Sequence, residues 1–444
     1  MASPGDTSGG DGAAGIKTST SSKDSTITDS VAKTDTNSSA TMVMLTILAA
    51  LVALLGVEYA GGLGEVSSLN DTGLQLPAQS VFVDPLSFNV IGANGTFRNN
   101  SQPFNPTGTS PPFFQIFSRG FLDVLGPSPS IRLIAENATF AFAHEAPIWV
   151  PSTDEVFFAS NDGGPLGMSD LDHNSQVSVI NLSDPAITGG GLVNYTKVPL
   201  SDDVQMNNGG TPFRGQNLLV TSGRGELPPS LVLVNRRPPF NTTVLLDNFF
   251  GRQFNSLNDV KIHPTSKKIF FTDVVYGFLN HFRPPPQLPN QVYRFDPDTG
   301  SLRVVADGFD RCNGIAFSGD GKTAFITDTG ESGGFLGNNQ TEPATIYAFD
   351  VDPQTHAFKN RRVFAYVDNG IPDGIQVDLN GRVYSGTGDG VQVWSPDGEL
   401  LGKFFLGTTS ANMVFAGSGR LVILAETAIY LAHIAAIGLP LETF

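Results

Sequence analysis

Six stretches of this chain open on a side chain carrying a carbonyl-type or carboxylate oxygen: Glu145, Asn217, Asn258, Asn313, Asp373 and Asn412. None of the six is His or Cys. Asn is a poor strand former, so an Asn at the head of a strand pattern calls for a reason other than propensity. A ring of amide and carboxylate oxygens suits a hard cation, Ca2+ first and then Mg2+ or Mn2+; Zn2+ is a further alternative, although it prefers imidazole or thiolate. Glu145 and Asp373 together balance a divalent charge, and the amides complete a coordination shell without adding repulsion. Taken singly, any one of these residues reads equally as a turn cap at a strand start. The chemistry rests on all six sharing the same position in a repeated pattern.

That pattern consists of short strands in pairs. "NDVKIHPTSKKIFFTD" begins at Asn258, "NGIAFSGDGKTAFITD" at Asn313, "DGIQVDLNGRVYSGTG" at Asp373 and "NMVFAGSGRLVILAET" at Asn412. Each has a polar first residue, an alternating strand, a tight turn near the eighth residue and a second strand. Weaker copies begin at Glu145 and Asn217, and further strand pairs such as "QVYRFDPDTGSLRVVA" lie between copies. Six copies of about four strands, recurring roughly every 40–70 residues, predict an all-β, six-bladed β-propeller over 131–444. A two-sheet β-sandwich is the rival architecture. It has no need for the same polar residue at the head of each repeat, whereas a propeller brings its innermost strand starts around one axis.

Several of these stretches resemble the senescence-marker-protein, gluconolactonase and regucalcin-like family of six-bladed lactonases. The matching segments are "HEAPIW", "NSLNDVKIHPTSKKIFFTDVVYG", "RCNGIAFSGDGKTAFITDTG" and "PDGIQVDLNGRVYSG", in order over roughly residues 140–400. "FLDVLGPSP" and "FAHEAPIW" are similar to the fungal lactonohydrolase branch. The resemblance implies metal ligands at Glu145, Asn258, Asn313 and Asp373, with Ca2+ as the usual ion. It implies Asp373 as the general base, with Glu145 second. Asn217 and Asn412 become channel-lining candidates for substrate contact, and Tyr276 in "TDVVYG" a pocket residue. Ser256, a further candidate for substrate contact, stands where regucalcin-like members carry Arg, while the S-x-N-D-V form that it opens matches the gluconolactonase-like members. The implied activity is hydrolysis of sugar or aldonate-type lactones, with a small-molecule lactone as the partner. A non-catalytic, calcium-stabilised binding propeller is an alternative, as is phosphotriester hydrolysis or strictosidine-synthase-like chemistry on the same scaffold. His144 adjoins Glu145 and is a tempting base, but strand alternation places neighbours on opposite faces.

Other motifs carry less. "GESGG" fits a nucleophile elbow around Ser332, but a Gly- and Asn-containing loop follows where a helix is required. "GDGKT" at 319–323 lies in a β-turn pattern and lacks the leading Gly of a phosphate loop. The single cysteine, Cys312, permits no intramolecular disulfide.

A formal charge of −16 and the lack of any basic run argue against nucleic-acid binding. Residues 1–40 form a polar tail expected to be disordered. Residues 41–57, "TMVMLTILAALVALLGV", are apolar and uncharged, which predicts a transmembrane signal anchor or a signal peptide. Lys17, Lys23 and Lys33 precede this run and no Lys or Arg follows before Arg98, so the body is expected outside the cytoplasm, secreted or anchored in type II orientation. Residues 58–130 read as a linker and an irregular N-terminal extension capping the propeller. Glycosylation acceptors occur at Asn70, Asn94, Asn99, Asn137, Asn181, Asn194, Asn241 and Asn339.

Overall fold

A computed structural model describes residues 75–99, 101–417 and 419–441. The polar tail, the apolar run 41–57 and Asn70 lie outside the described residues. Among the described residues no helix is long and apolar enough to cross a membrane.

Six sheets radiate from a common centre. Blade I runs outward from Glu145–Val150 through Glu155–Ala159 and Val177–Asn181 to Thr196–Lys197. Blade II comprises Asn207–Phe213, Gln216–Thr221, Leu231–Val234 and Thr242–Leu246. Blade III comprises Leu257–Ile262, Ile269–Asp273, Gln291–Phe295 and Leu302–Ala306, and blade IV comprises Cys312–Phe317, Thr323–Asp328, Thr345–Val351 and Phe358–Tyr366. Blade V starts at Ile375–Val377 and continues through Val383–Thr387, Gly390–Trp394 and Leu400–Phe405. Blade VI consists of Asn412–Phe415, Arg420–Ala425 and Ala428–His433, and its outermost strand is Ser130–Glu136 from the N-terminal side. The innermost strands touch in sequence around a ring, and blade VI meets blade I to close it. The architecture is the six-bladed propeller that the repeats predict.

Closure uses two devices. The first is the strand Ser130–Glu136, which pairs antiparallel with Ala428–His433 and joins the two ends of the propeller in one sheet. The second is polar. Arg420 grips Asp154 with two parallel hydrogen bonds of 2.9 and 2.7 Å, and Asp154 also accepts from Trp149 Nε1 at 2.9 Å and Ser183 Oγ at 2.7 Å. Burial pushes the Asp154 carboxyl upward, but the Arg420, Ser183 and Trp149 hydrogen bonds outweigh it and lower its pKa to about 2.

The described part of the extension, residues 75–99 and 101–129, contains strands as well as irregular chain. Phe113–Ile116 pairs antiparallel with Leu400–Phe405, and Ser80–Phe82 pairs parallel with Phe113–Ile116, so blade V has six strands. Strands of three and four residues between Pro- and Gly-rich stretches carry no readable period, which hides them in the sequence. They cover the buried Lys403, whose Nζ binds Asp368 at 2.6 Å and Asp389 at 2.8 Å. Arg98 from the same extension reaches Asp368 at 2.8 Å.

Packing between blades buries both faces of each sheet, and for that reason the inner strands lack clean alternation. Phe142, Val156 and Phe158 of blade I pack with Val422 and Leu424 of blade VI, and Phe270 and Val292 of blade III with Ile315 and Phe317 of blade IV. Each such aromatic or branched side chain contributes about 1.5–3 kcal/mol by leaving water. Cys312 belongs to this blade III–IV core and is fully buried.

The Asp154 clasp makes a testable statement. Asp154→Ala should lower unfolding stability by about 2–3 kcal/mol, because Arg420 and Trp149 lose a shared, largely buried acceptor. The carboxylate's contribution is fully present above its unfolded pKa of about 3.8 and is lost as pH falls toward 2. Denaturant unfolding of both proteins from pH 7 to pH 2 should show the difference shrinking only in that acid window.

Candidate active site

Four of the six inner strands begin on bulges. Ladder register shifts between Glu145 and Ile148, between Asn207 and Gly209, between Leu257 and Val260, and between Cys312 and Ile315. A bulge leaves residues unpaired and re-aims their side chains, and here it turns Glu145, Asn258 and Asn313 toward the axis. The recurrent Thr-Asp at the end of the second strands braces these bulges. Thr272 Oγ1 accepts from the Asp259 N–H and donates to the carbonyl of Asn313 in the next blade, at 3.0 and 2.7 Å. Thr327 Oγ1 accepts from the Gly314 N–H and donates to the carbonyl of Asp373, at 2.6 and 3.0 Å. Each threonine thus ties its own bulge to the following blade's head residue. The aspartates hold the entering loops: Asp273 accepts from the Asn255 and Ser256 N–H groups, and Asp328 from those of Asp310 and Arg311.

Glycine after a head residue serves close approach. A Cβ on Gly314 would lie 2.5 Å from the Asp373 carbonyl oxygen, and one on Gly374 would lie 2.2 Å from the Asn412 side chain. The Asn-Gly and Asp-Gly pairs at 313–314 and 373–374 therefore let adjacent blades draw their heads together.

Glu145, Asn258, Asn313 and Asp373 line one cavity of about 230 Å3 with His144, Tyr276, Asp162 and Asn208. Oxygens of Glu145 and Asp373 lie within 4.8 Å of one another and of a His144 ring nitrogen. Burial and the facing Asp373 charge hold Glu145 well above the usual carboxylate range, and burial raises Asp373 to about 6. The Oδ1 atoms of Asn258 and Asn313 are buried and accept no hydrogen bond. Unpartnered buried acceptors are rare and costly. Two orphaned amide oxygens beside two crowded carboxylates, with no thiolate, form a donor set that fits a hard divalent cation. A more apolar cavity of about 320 Å3, between Trp149, Phe415 and Leu439, contains no titratable side chain.

Other sequence-derived candidates fall differently. Asn412 touches Glu145 instead of lining the cavity, its Nδ2 donating to Glu145 Oε2 at 2.6 Å. Ser256 is buried and orients the Tyr276 loop, its Oγ accepting from the Gly277 N–H at 3.1 Å. Tyr276 lines the cavity and its hydroxyl bonds to Thr329 Oγ1. Asn217 is a correction. It sits in the second strand of blade II opposite Pro212, near the far end of the inner strand, and accepts from Arg236 Nε at 2.9 Å. The head position of blade II belongs to Asn207 and Asn208, on a strand whose "NNGGTP" composition conceals it.

His144 is a second correction, since it faces the cavity that alternation had denied it. It precedes the strand, and Ala146 at φ +54° breaks the alternation beyond it. Its Nδ1 bonds Glu426 Oε1 at 2.6 Å. Burial lowers its pKa, but Glu426, with Glu145 and Asp373, more than compensates and raises it to about 10. The short contact with Glu426 favours the protonated ring in an ion pair, which disfavours His144 as a proton acceptor. Glu426, Asp162 and Asn208 had no sequence signal beyond their polarity. Ser332 also lines the cavity, but from a loop that leads into the short 3-10 helix Gly334–Leu336.

Comparison with known proteins agrees with this fold. Residues 144–427 match the SMP-30/gluconolactonase/LRE-like family. The chain is 30% identical over 365 residues to a lactonohydrolase of Aspergillus oryzae, covering 75% of this chain and 77% of that protein. The solved structure of a gluconolactonase of Xanthomonas campestris superposes with a TM-score of 0.56 at 23% identity, covering 74% of this chain and 99% of that one. Regucalcin of Agrobacterium tumefaciens, described as a calcium-binding protein, superposes at 0.50 with 16% identity, covering 70% and 95%. The chain belongs to the SMP-30/gluconolactonase/LRE-like family.

Gly314→Ala tests the close approach of blades IV and V. The added methyl must push against the Asp373 carbonyl, and the expected cost is about 1–3 kcal/mol, as for overpacking. A melting temperature equal to that of the wild type would show that the two strands tolerate separation.

Proposed function

We propose that this protein is a lactonase that hydrolyses sugar or aldonate-type lactones to hydroxy acids and requires Ca2+. The observation that carries the reading is the pair of orphaned oxygens, Asn258 Oδ1 and Asn313 Oδ1, opening with Glu145 and Asp373 into one cavity. Family membership and the lactonohydrolase and gluconolactonase relatives support it. Glu145, Asn258, Asn313 and Asp373 would hold the ion, which supplies Lewis-acid polarisation of a carbonyl and charge stabilisation for an oxyanion.

The chain's own groups do the rest. Asp373, whose carboxyl is raised by burial to about 6, takes a proton from the attacking water. It returns that proton to the ring oxygen as the acyl C–O bond breaks, which leaves an alcohol and a carboxylic acid that ionises by releasing its remaining proton to solvent. Asn412 keeps Glu145 in place through its 2.6 Å hydrogen bond. The His144 imidazolium, paired with Glu426, sets positive charge beside the two acids and favours their ionised forms. The cavity also places Tyr276 at its wall, its hydroxyl engaged by Thr329 and therefore fixed.

A pH-stat assay over a panel of lactones, with and without added Ca2+, tests the reading. Chelation should abolish hydrolysis and Ca2+ should restore it. Asp373→Ala should reduce kcat by about 10^3-fold or more while the domain stays folded by circular dichroism. Asn412→Ala should weaken Ca2+ binding by about 10–100-fold in a calorimetric titration, as loss of a ligand's supporting hydrogen bond does. Full activity of metal-free protein would end the proposal.

We also propose that the propeller is exported. Asn94, Asn99, Asn181, Asn194, Asn241 and Asn339 are exposed, as a glycan acceptor requires, whereas the Asn137 amide is half-buried and donates to Tyr195 Oη at 2.8 Å. Glycan mapping of protein from a eukaryotic secretory host should find occupancy among the first six and none at Asn137. Protein without glycans would contradict export.

A further inference from the structure

One carboxylate in the cavity has no role in the chemistry above. Asp162 is 7% exposed, lines the same cavity, and neither of its oxygens accepts a hydrogen bond. Ser175 lies near enough to lower its pKa slightly, but makes no hydrogen bond of normal geometry to it. Burial raises the Asp162 pKa to about 7.

The surrounding loop leaves little else unsatisfied. Asn161 Oδ1 accepts from the Gly164 N–H, Ser169 Oγ accepts from the Gly163 N–H and donates to the Asn161 carbonyl, and Asn280 Nδ2 donates to the Asp162 carbonyl. Gly163 has φ +75°, and a Cβ there would meet Asn280 at 2.8 Å. The backbone around Asp162 is thus pinned on both sides, and its carboxylate alone is left facing the cavity. Such a group, rigidly presented and unpartnered, is arranged for a ligand.

The ligand must satisfy an acceptor with two oxygens. A metal ion is a poor match, because among the described residues the His, Cys, Asp and Glu side chains gather at metal-binding distance only at His144, Glu145 and Asp373. A lone carboxylate does not hold a divalent cation against water. A hydroxyl is a good match. It donates to the ionised carboxylate and can accept from the protonated acid, so it serves either state near neutral pH. Asn208, on the same cavity wall, offers a neutral amide that can take a neighbouring hydroxyl.

We infer that Asp162 recognises a substrate hydroxyl and is the residue through which the site favours a polyhydroxylated lactone over a bare alkyl lactone. This rests on the lactonase reading and narrows it. Asp162 is a specificity-determining residue here and takes no part in the proton transfers assigned to Asp373.

The experiment compares Ca2+-supplemented wild type with Asp162→Ala and Asp162→Asn on D-glucono-δ-lactone and δ-valerolactone. The ratio of kcat/KM for the polyol lactone to that for the plain lactone should fall tenfold or more in Asp162→Ala. A site built to hydrogen-bond a hydroxyl discriminates at least this strongly. The melting temperature should stay the same or rise in both variants, because an unpartnered buried carboxylate contributes no bonding to the fold. An unchanged ratio, or an equal loss on both lactones with a lower melting temperature, overturns the assignment. Calorimetric binding of 1,5-anhydro-D-glucitol, a ring polyol with nothing to hydrolyse, separates the two readings. If wild type hydrolyses neither lactone, the lactonase reading falls. Asp162 then stands if its Ala variant binds the polyol at least tenfold more weakly than wild type, and falls if binding is equal or absent in both.

Discussion

Four oxygen-bearing side chains from four blades are forced together out of water, and this concentration of unsatisfied polarity is the constraint that the rest of the fold answers. Asn258 and Asn313 present amide oxygens without partners, while Glu145 and Asp373 face each other at a distance that disfavours two full charges. Left alone, such an arrangement costs stability. A propeller can bear it because the backbone of the head residues is braced from blade to blade and because the hydrophobic mass lies between blades, away from the centre. His144, charged through Glu426, offsets part of the repulsion from outside the oxygen cluster.

The supporting structure is repetitive because the task is. In blades III and IV a bulge frees the head residue from the ladder, a threonine one strand out ties that bulge to the next blade, and an aspartate fixes the loop that enters the strand. Glycine at 314 and 374 removes the side chains that would hold the blades apart. Closure at blades I and VI by the strand Ser130–Glu136 and the Asp154–Arg420 clasp joins the two ends of the ring. The two threonine braces resist displacement of the Asn313 and Asp373 heads, and such rigidity is what preorganised catalysis requires.

Much of this was legible from residue order. The repeated Asn or Asp head, the Thr-Asp at the end of the second strand and the tight turn between them announce a blade, because a strand's side-chain period and turn chemistry are local properties. Blade II was misplaced for the same reason. Its inner strand, "NNGGTPF", has neither alternation nor β-branched residues at its start, so the stronger pattern beginning at Asn217 reads as the first strand when it is the second. The two strands added to blade V were invisible because three or four residues cannot show a period.

The sequence by itself determined the six-fold strand repeat and the oxygen chemistry of Glu145, Asn258, Asn313 and Asp373, since residue type and spacing along one strand suffice for both. Only the tertiary structure decided which polar groups share the cavity. His144 faces it because it precedes the strand whose alternation would turn it away, Asp162 because a distant Asn280 pins its loop, and Asn412 turns from the cavity to Glu145 across the closing seam. Those outcomes depend on backbone twists and on contacts between blades far apart in the chain. No local pattern of residues encodes them.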